Sequence, residues 1–211
     1  DLVRIDHFRG LEAVWVIPSE CETAIDGEWQ KVPGEELLQH LKEEMEELAI
    51  VAEDLGIITP EVNELRLKFH LPGMSVLQFS FDGFSDNPHK PKNITYDRIV
   101  YTGTHDNDTT HGWFNAQNPD TQSHIFKTLE ITEPDQVCDS IIETALNSQG
   151  QLVIIPLQDL LDLGSEARMN IPGISADNWT WKFQWEQIPN DLAIKIHQRL
   201  DKSGRLYKSE T

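Results

Sequence analysis

Asp6 and His7, Glu53 and Asp54, and the run His105-Asp106-Asn107-Asp108 have side chains suited to chemistry, and each group comes after a short strand-like segment. Carboxylates placed this way can break a bond between two sugars. That reaction passes through an oxocarbenium-like transition state and needs one protonated carboxyl to assist the leaving oxygen and one ionised carboxyl to attack or to activate water. A third carboxylate can hold sugar hydroxyls and stabilise the developing positive charge. Arg4 precedes Asp6 by two residues and so shares its face of an extended strand. A guanidinium there favours Asp6 as the ionised nucleophile. Glu53, set against apolar neighbours and another carboxylate, is pushed the other way and retains its proton.

Each of these residues also has a plainer reading. An aspartate at a strand end often caps a helix or forms a turn, Arg4 serves equally as a structural ion-pair partner, and Glu53-Asp54-Leu55-Gly56 is also good turn chemistry. The stretch Thr102 to Trp113 resists such a reading, because so many small polar and titratable residues after an apolar strand serve no packing purpose. A rival chemistry arises here. His105, Asp106, Asp108 and His111, with His7 elsewhere, are ligand types for the mixed His/Asp site of a metal-dependent hydrolase. Their spacing, however, matches neither a closed zinc site nor a calcium loop. Trp15, Trp29, Trp113, Trp179, Trp181 and Trp185 stand mostly beside polar, loop-like segments, where they can stack on sugars or fill a core equally well.

The elements that must position these residues follow from periodicity. Val3-Arg4-Ile5-Asp6-His7-Phe8 alternates like a strand and begins at the start of the chain, as if entering an existing sheet in mid-fold. Leu37, Leu38, Leu41, Met45 and Leu48 recur at helical spacing, with Glu35, Glu36, Glu43, Glu44, Glu46 and Glu47 on the other face, which predicts an amphipathic helix over 35–48. Ala49 to Ala52 predicts a buried strand, and Thr59-Pro60 a helix start carrying Val62, Leu65, Leu67 and Phe69. Further strands are expected over 74–79, 98–102 and 151–156, a long loop over 80–96, helices within 113–148, and a last helix over 192–200. Five almost wholly apolar strands separated by helices imply parallel β/α units, in which catalytic side chains come from the carboxyl ends of several strands.

Composition removes other classes of function. Over 211 residues, 17 Lys+Arg face 36 Asp+Glu, a net charge of −19 that repels phosphate backbones and anionic headgroups. Neither a nucleic acid nor a membrane surface is an expected partner. With 38% hydrophobic and 25% charged residues the chain reads as globular. The two cysteines, Cys21 and Cys138, are too few for a disulfide framework and point to a reducing, cytoplasmic compartment. The longest apolar stretches, such as Leu152 to Leu157, are far short of the roughly 20 residues that cross a bilayer. The first residue is Asp1, and no basic region followed by an apolar one comes after it, so a segment upstream is expected to be missing.

Several long motifs, in order, resemble the 4-α-glucanotransferase (amylomaltase, or disproportionating enzyme) family of the α-amylase clan. They are Val3 to Gly10, Ala52 to Gly56, Pro72-Gly73-Met74 with Val76 to Phe79, Tyr101 to Thr110, Pro156 to Leu161, Glu166 to Gly173, and Asn178-Trp179 with Trp181. The resemblance implies a retaining (β/α)8 TIM barrel that transfers an α-1,4-glucan segment, through a glycosyl-enzyme, to the 4-hydroxyl of another glucan or of glucose. Maltodextrins, starch and glycogen are the implied substrates, and neither a cofactor nor a metal is implied. By motif position Asp6 is the nucleophile, Glu53 the general acid/base and Asp106 the transition-state stabiliser. Arg4, His7, His105, Asn107 and Asn170 are the implied substrate-binding residues. The five strands match barrel strands four to eight, so residues 1–211 are expected to be the carboxyl-terminal portion of the catalytic domain, without the N-terminal strands and inserted subdomains. Such a piece is expected to need the missing half or a second copy for activity, and an inactive glucan-binding fragment is the remaining alternative.

Overall fold

A computed structural model describes residues 2–45 and 48–207. The chain divides into two compact units, Asp1–Met74 with Asp97–Ile99, and Ser75–Tyr96 with Val100–Thr211.

In the first unit, strand β1 (Leu2–Ile5) pairs in parallel with β4 (Ala49–Ala52) in the register Leu2↔Ala49 to Ile5↔Ala52. Matching strand ends put Asp6 and Glu53 one residue beyond the last pair. Between these strands lies an antiparallel hairpin of β2 (Ala13–Val16) and β3 (Glu28–Lys31), which no expected element covered. Its stabilising feature is a cross-strand tryptophan pair, Trp15 opposite Trp29, with ring centroids 5.4 Å apart. The connection over 17–27 is far longer than a two-residue hairpin loop, so Asp26-Gly27 within it does not announce the pairing.

Helix α1 (Gly34–Glu44) is shorter than the 35–48 expected. Met45 leaves helical backbone, and two more expected positions, Glu46 and Glu47, lie outside the described residues. Glu43 and Glu44 stand at the negative end of the helix dipole, where carboxylates are unfavourable, and this opposes extension. Helix α2 (Pro60–Lys68) begins where Thr59-Pro60 signalled, although the Thr59 side chain makes no capping bond. The helices close a core of Phe8, Leu38, Ala52, Val62, Leu65, Phe69 and Leu71.

A three-stranded sheet runs in the order β5 (Gly73–Val76), β6 (Arg98–Tyr101), β7 (Leu152–Ile154). The expected strand over 74–79 stops early because Leu77–Phe79 forms a 3-10 turn. The expected helical region resolves into α3 (Thr110–Asn115), α4 (Pro119–Leu129) and α5 (Val137–Leu146), and the chain continues to α6 (Leu157–Leu160) and α7 (Leu192–Lys202). Asn118 caps α4 through Thr121 N–H at 2.9 Å, with Pro119 in the first turn. Leu77, Ile94, Val100, Phe114, Ile125, Val137, Ile141 and Ala145 form the core of the second unit. The architecture is α/β. The described strands make three separate sheets and no closed barrel. Among the described residues no helix is long and apolar enough to cross a membrane.

Candidate active site

The parallel pairing of β1 with β4 builds the first part of the site. Beyond the paired residues the ladder continues through Glu53 N–H to the Ile5 carbonyl at 2.9 Å and Phe8 N–H to the Glu53 carbonyl at 3.0 Å. The Glu53 backbone is therefore as fixed as a strand interior. Its side chain accepts from His7 N–H at 2.6 Å and from Leu55 N–H at 3.1 Å. Burial pushes the Glu53 carboxyl above its ordinary range against the lowering effect of those two N–H bonds, while Asp6 adds a smaller push upward and Arg4 a pull downward. Asp6 differs. Its carboxylate is 76% exposed and bonded at 2.9 Å to the Arg4 guanidinium. Two carboxyl groups, one desolvated and one paired with a cation, thus stand at the ends of adjacent strands.

His7 contributes in a way its residue type did not signal. It takes a left-handed backbone (φ +47°), uncommon for a residue with a β-carbon, and this turns its N–H onto Glu53. The contact is made by its main chain.

Asp54, the neighbour of Glu53, belongs to the framework. Its carboxylate, 2% exposed, takes the Arg98 guanidinium at 2.6 Å and Met74 N–H at 2.7 Å, with Arg66 Nε at 3.5 Å. Arg66 continues to Asp97 at 2.9 Å and to the Leu71 carbonyl at 2.8 Å. Gly73 is required here, since a β-carbon would collide with the Asp54 carboxylate and the Arg98 guanidinium. Asp54 is thus engaged by the framework, whereas Glu53 accepts from main-chain N–H groups alone.

In the second unit the loop after β6 is held from beneath by side chains. Asp159 is buried, and its carboxylate accepts from the Thr102 hydroxyl at 2.5 Å, Thr110 N–H at 2.8 Å and the Thr110 hydroxyl at 2.9 Å. It pins both ends of the loop, and burial raises its carboxyl above the ordinary range against those bonds. Cys138 Sγ donates to the Asp159 carbonyl at 3.1 Å, and burial pushes that thiol up. Gln78 Nε2 donates to the Asp108 carbonyl at 3.0 Å, and Asp108 accepts from the Ser165 hydroxyl at 2.6 Å. These anchors leave Asp106 at the top of the loop. Asn170 donates to its carboxylate at 2.6 Å, His105 Nε2 lies 3.4 Å from the same oxygen, and Arg168 donates to its carbonyl at 2.7 Å.

Of the expected residues, the structure groups Arg4, Asp6, Glu53 and the His7 main chain in one unit, and His105, Asp106 and Asn170 in the other. The Asn107 side-chain oxygen turns inward, accepting from the Thr104 N–H and hydroxyl at 2.9 and 2.8 Å, and so serves the turn. Arg168, Asp159 and Gln78 carry no such signal in the sequence, because these partners lie 30 to 62 positions away in the chain and no local pattern marks them. The His/Asp cluster does not assemble for a metal: among the described residues no three His, Cys, Asp or Glu are grouped as one would need. His111 faces Asp162 at 3.1 Å, while Asp108 is bound by Ser165.

The family model described as 4-alpha-glucanotransferase, Glyco_hydro_77, matches residues 1–188. The chain belongs to this family. The 4-alpha-glucanotransferase of Thermus thermophilus is 46% identical over 206 residues, covering 94% of this chain and 40% of its own length. The chloroplastic/amyloplastic 4-alpha-glucanotransferase of Solanum tuberosum is 44% identical, covering 98% and 36%. The amylomaltase from Streptococcus agalactiae, solved in complex with acarbose, superposes with a TM-score of 0.91 at 31% identity, over 98% of this chain and 42% of that one. The chain thus spans about 40% of the 4-alpha-glucanotransferases it matches.

Proposed function

We propose that the protein carrying this chain is a retaining 4-α-glucanotransferase in which the chain supplies strands four to eight of a (β/α)8 barrel. In the first step the Asp6 carboxylate attacks C1 of the donor sugar as the C1–O4 bond breaks, and Glu53 gives its proton to the departing O4. In the second, Glu53 takes the proton of an acceptor 4-hydroxyl, that oxygen attacks C1, and the bond to Asp6 breaks. Two inversions restore the starting configuration. Asp106, with Asn170 and His105 beside it, stabilises the charge that develops on the ring. Arg4 holds the nucleophile through its 2.9 Å ion pair. The donor is an α-1,4-glucan, and the acceptor another glucan or glucose.

The observation that carries this reading is the contrast between Glu53, whose burial raises its carboxyl, and Asp6, exposed and paired with Arg4. A general acid needs surroundings that favour its neutral form, and a nucleophile needs open access to the sugar. We place the protein in the cytoplasm, on the strength of two free cysteines, which suit a reducing compartment. The name of the Solanum relative puts that protein in plastids, so fractionation of the source cells is the check.

Incubation of the full-length protein with maltotriose tests the activity. Glucose together with maltodextrins longer than maltotriose is expected, and hydrolysis alone would overturn the transfer. The 211-residue chain by itself is expected to show little transfer until joined by an N-terminal half or a second copy, because unpaired strand edges leave a barrel open. Robust disproportionation by its monomer would refute that expectation.

A further inference from the structure

The aromatic residues do not share one fate. Trp15 and Trp29 pair on the hairpin, with the Arg9 guanidinium 4.0 Å over Trp29, and Trp113 packs against the second core beside Phe81. Trp179 is different. Its ring meets His105, with centroids 5.1 Å apart at 36°, and His105 is the neighbour of the Asp106 carboxylate.

The loop that delivers Trp179 is built for that placement. Asn178 accepts from Ile171 N–H at 2.9 Å and donates to the Ile174 carbonyl at 2.7 Å, closing residues 171–178 into a ring with Gly173 at φ +82°. Trp179 N–H donates to the Met169 carbonyl at 2.7 Å. The two feet of the loop are thereby tied together, so Asn170, next to one foot, and Trp179, at the other, share one small region with Asp106. Trp179 takes a left-handed backbone, φ +61°, which is an outlier for so bulky a side chain. A ring held at such a cost would be expected to be buried, yet Trp179 is 60% exposed. An exposed aromatic face beside a carboxylate and an amide matches the chemistry of a pyranose, which offers apolar C–H faces and a rim of hydroxyls.

We propose that Trp179 is a glucan-stacking residue, packing its exposed ring against one glucose unit of the chain held at Asp106 and Asn170. The inference rests on the transferase reading above and adds to it a residue that binds the sugar. The full-length protein tests it. Trp179→Ala is expected to raise KM for maltotriose about tenfold with a smaller change in kcat, and Trp179→Phe to recover most of that loss. Trp179→Asn, compatible with left-handed backbone, is the second variant should the alanine protein fail to fold, and the same rise in KM is expected. Calorimetry of maltoheptaose binding to Glu53→Gln, with and without Trp179→Ala, reads affinity independently of turnover. Unchanged KM and affinity, or a loss confined to kcat, would overturn the stacking role. If instead Asp6→Asn keeps its rate while maltoheptaose affinity still depends on Trp179, the transferase reading has failed and the sugar site stands.

Discussion

The two units carry their charged groups in opposite ways. In the first, Glu53 and Asp6 are set by main chain: two parallel strands in register end together, and the N–H groups of His7 and Leu55 aim the Glu53 carboxylate. In the second, Asp106 sits on a loop whose shape depends on buried side chains, chiefly Asp159 gripping Thr102 and Thr110. A proton donor must keep one protonation behaviour, which fixed backbone dipoles and burial can tune. A group that meets developing charge needs a position, which a polar cage beneath the loop can supply. The difference locates sensitivity: changes at Asp6 and Glu53 should lose chemistry before stability, and changes at Asp159 should lose both together.

The largest expected effect tests the first half of that contrast. In the full-length protein, Asp6→Asn or Glu53→Gln should cut the transfer rate by several orders of magnitude with little change in melting temperature. A loss below about tenfold, or about 1.4 kcal/mol, would remove the assigned roles. The pH profile of kcat/KM sharpens the same point. Glu53 works as an acid and its carboxyl is raised, so activity should persist above the ordinary glutamate range and fall on an alkaline limb set by Glu53. Arg4 pulls Glu53 downward, so Arg4→Gln should move that limb to higher pH, and a shift to lower pH would contradict the arrangement. The linkage has a fixed sign. A raised carboxyl contributes stability that is fully present below the unfolded pKa, near 4.5, and is lost as pH rises through the folded value.

Next in size is Asp54→Ala. It takes from Arg98, whose side chain is 16% exposed, its 2.6 Å carboxylate partner, and should cost about 3–5 kcal/mol in denaturant unfolding. A neutral result would show that the Asp54 knot is not what fixes the strand ends. Asp159→Asn replaces one of the acceptors beneath the second loop and should cost about 1–3 kcal/mol while lowering transfer in parallel. Lost activity at full stability would erase the contrast between the regions. The smallest effect belongs to Lys68→Ala. Its ion pair with Glu35 lies at 2.5 Å with both side chains more than half exposed, so less than about 1 kcal/mol is expected from chemical denaturation.

Much of the molecule was legible in advance. The five strands, the amphipathic helix after Pro33 and the last helix follow from apolar periodicity, which reports burial directly, and the helix after Thr59 from its start signal. The hairpin was not, since its identity lies in the pairing of Trp15 with Trp29, and pairing is a property of two segments. The 35–48 helix was overextended because periodicity does not register the unfavourable charge accumulating at its carboxyl end. Among the candidate residues, Asp6, Glu53 and Asp106 could be picked out because each stands just beyond an apolar run. Asn107 and Asp54 shared that signal, and the structure engages Asn107 in its own turn and Asp54 in an ion-pair cluster.

The residues themselves determined the element order, the acidic surface and which carboxylates end strands, because these depend on local spacing and composition. Tertiary structure alone decided which carboxyl is desolvated, which histidine acts through its main chain, and that Asp159, Arg168 and Trp179 gather around the loop of Asp106. Those outcomes require groups distant in the chain to exclude water from one another, and a protonation preference or a stacking face exists only once they do.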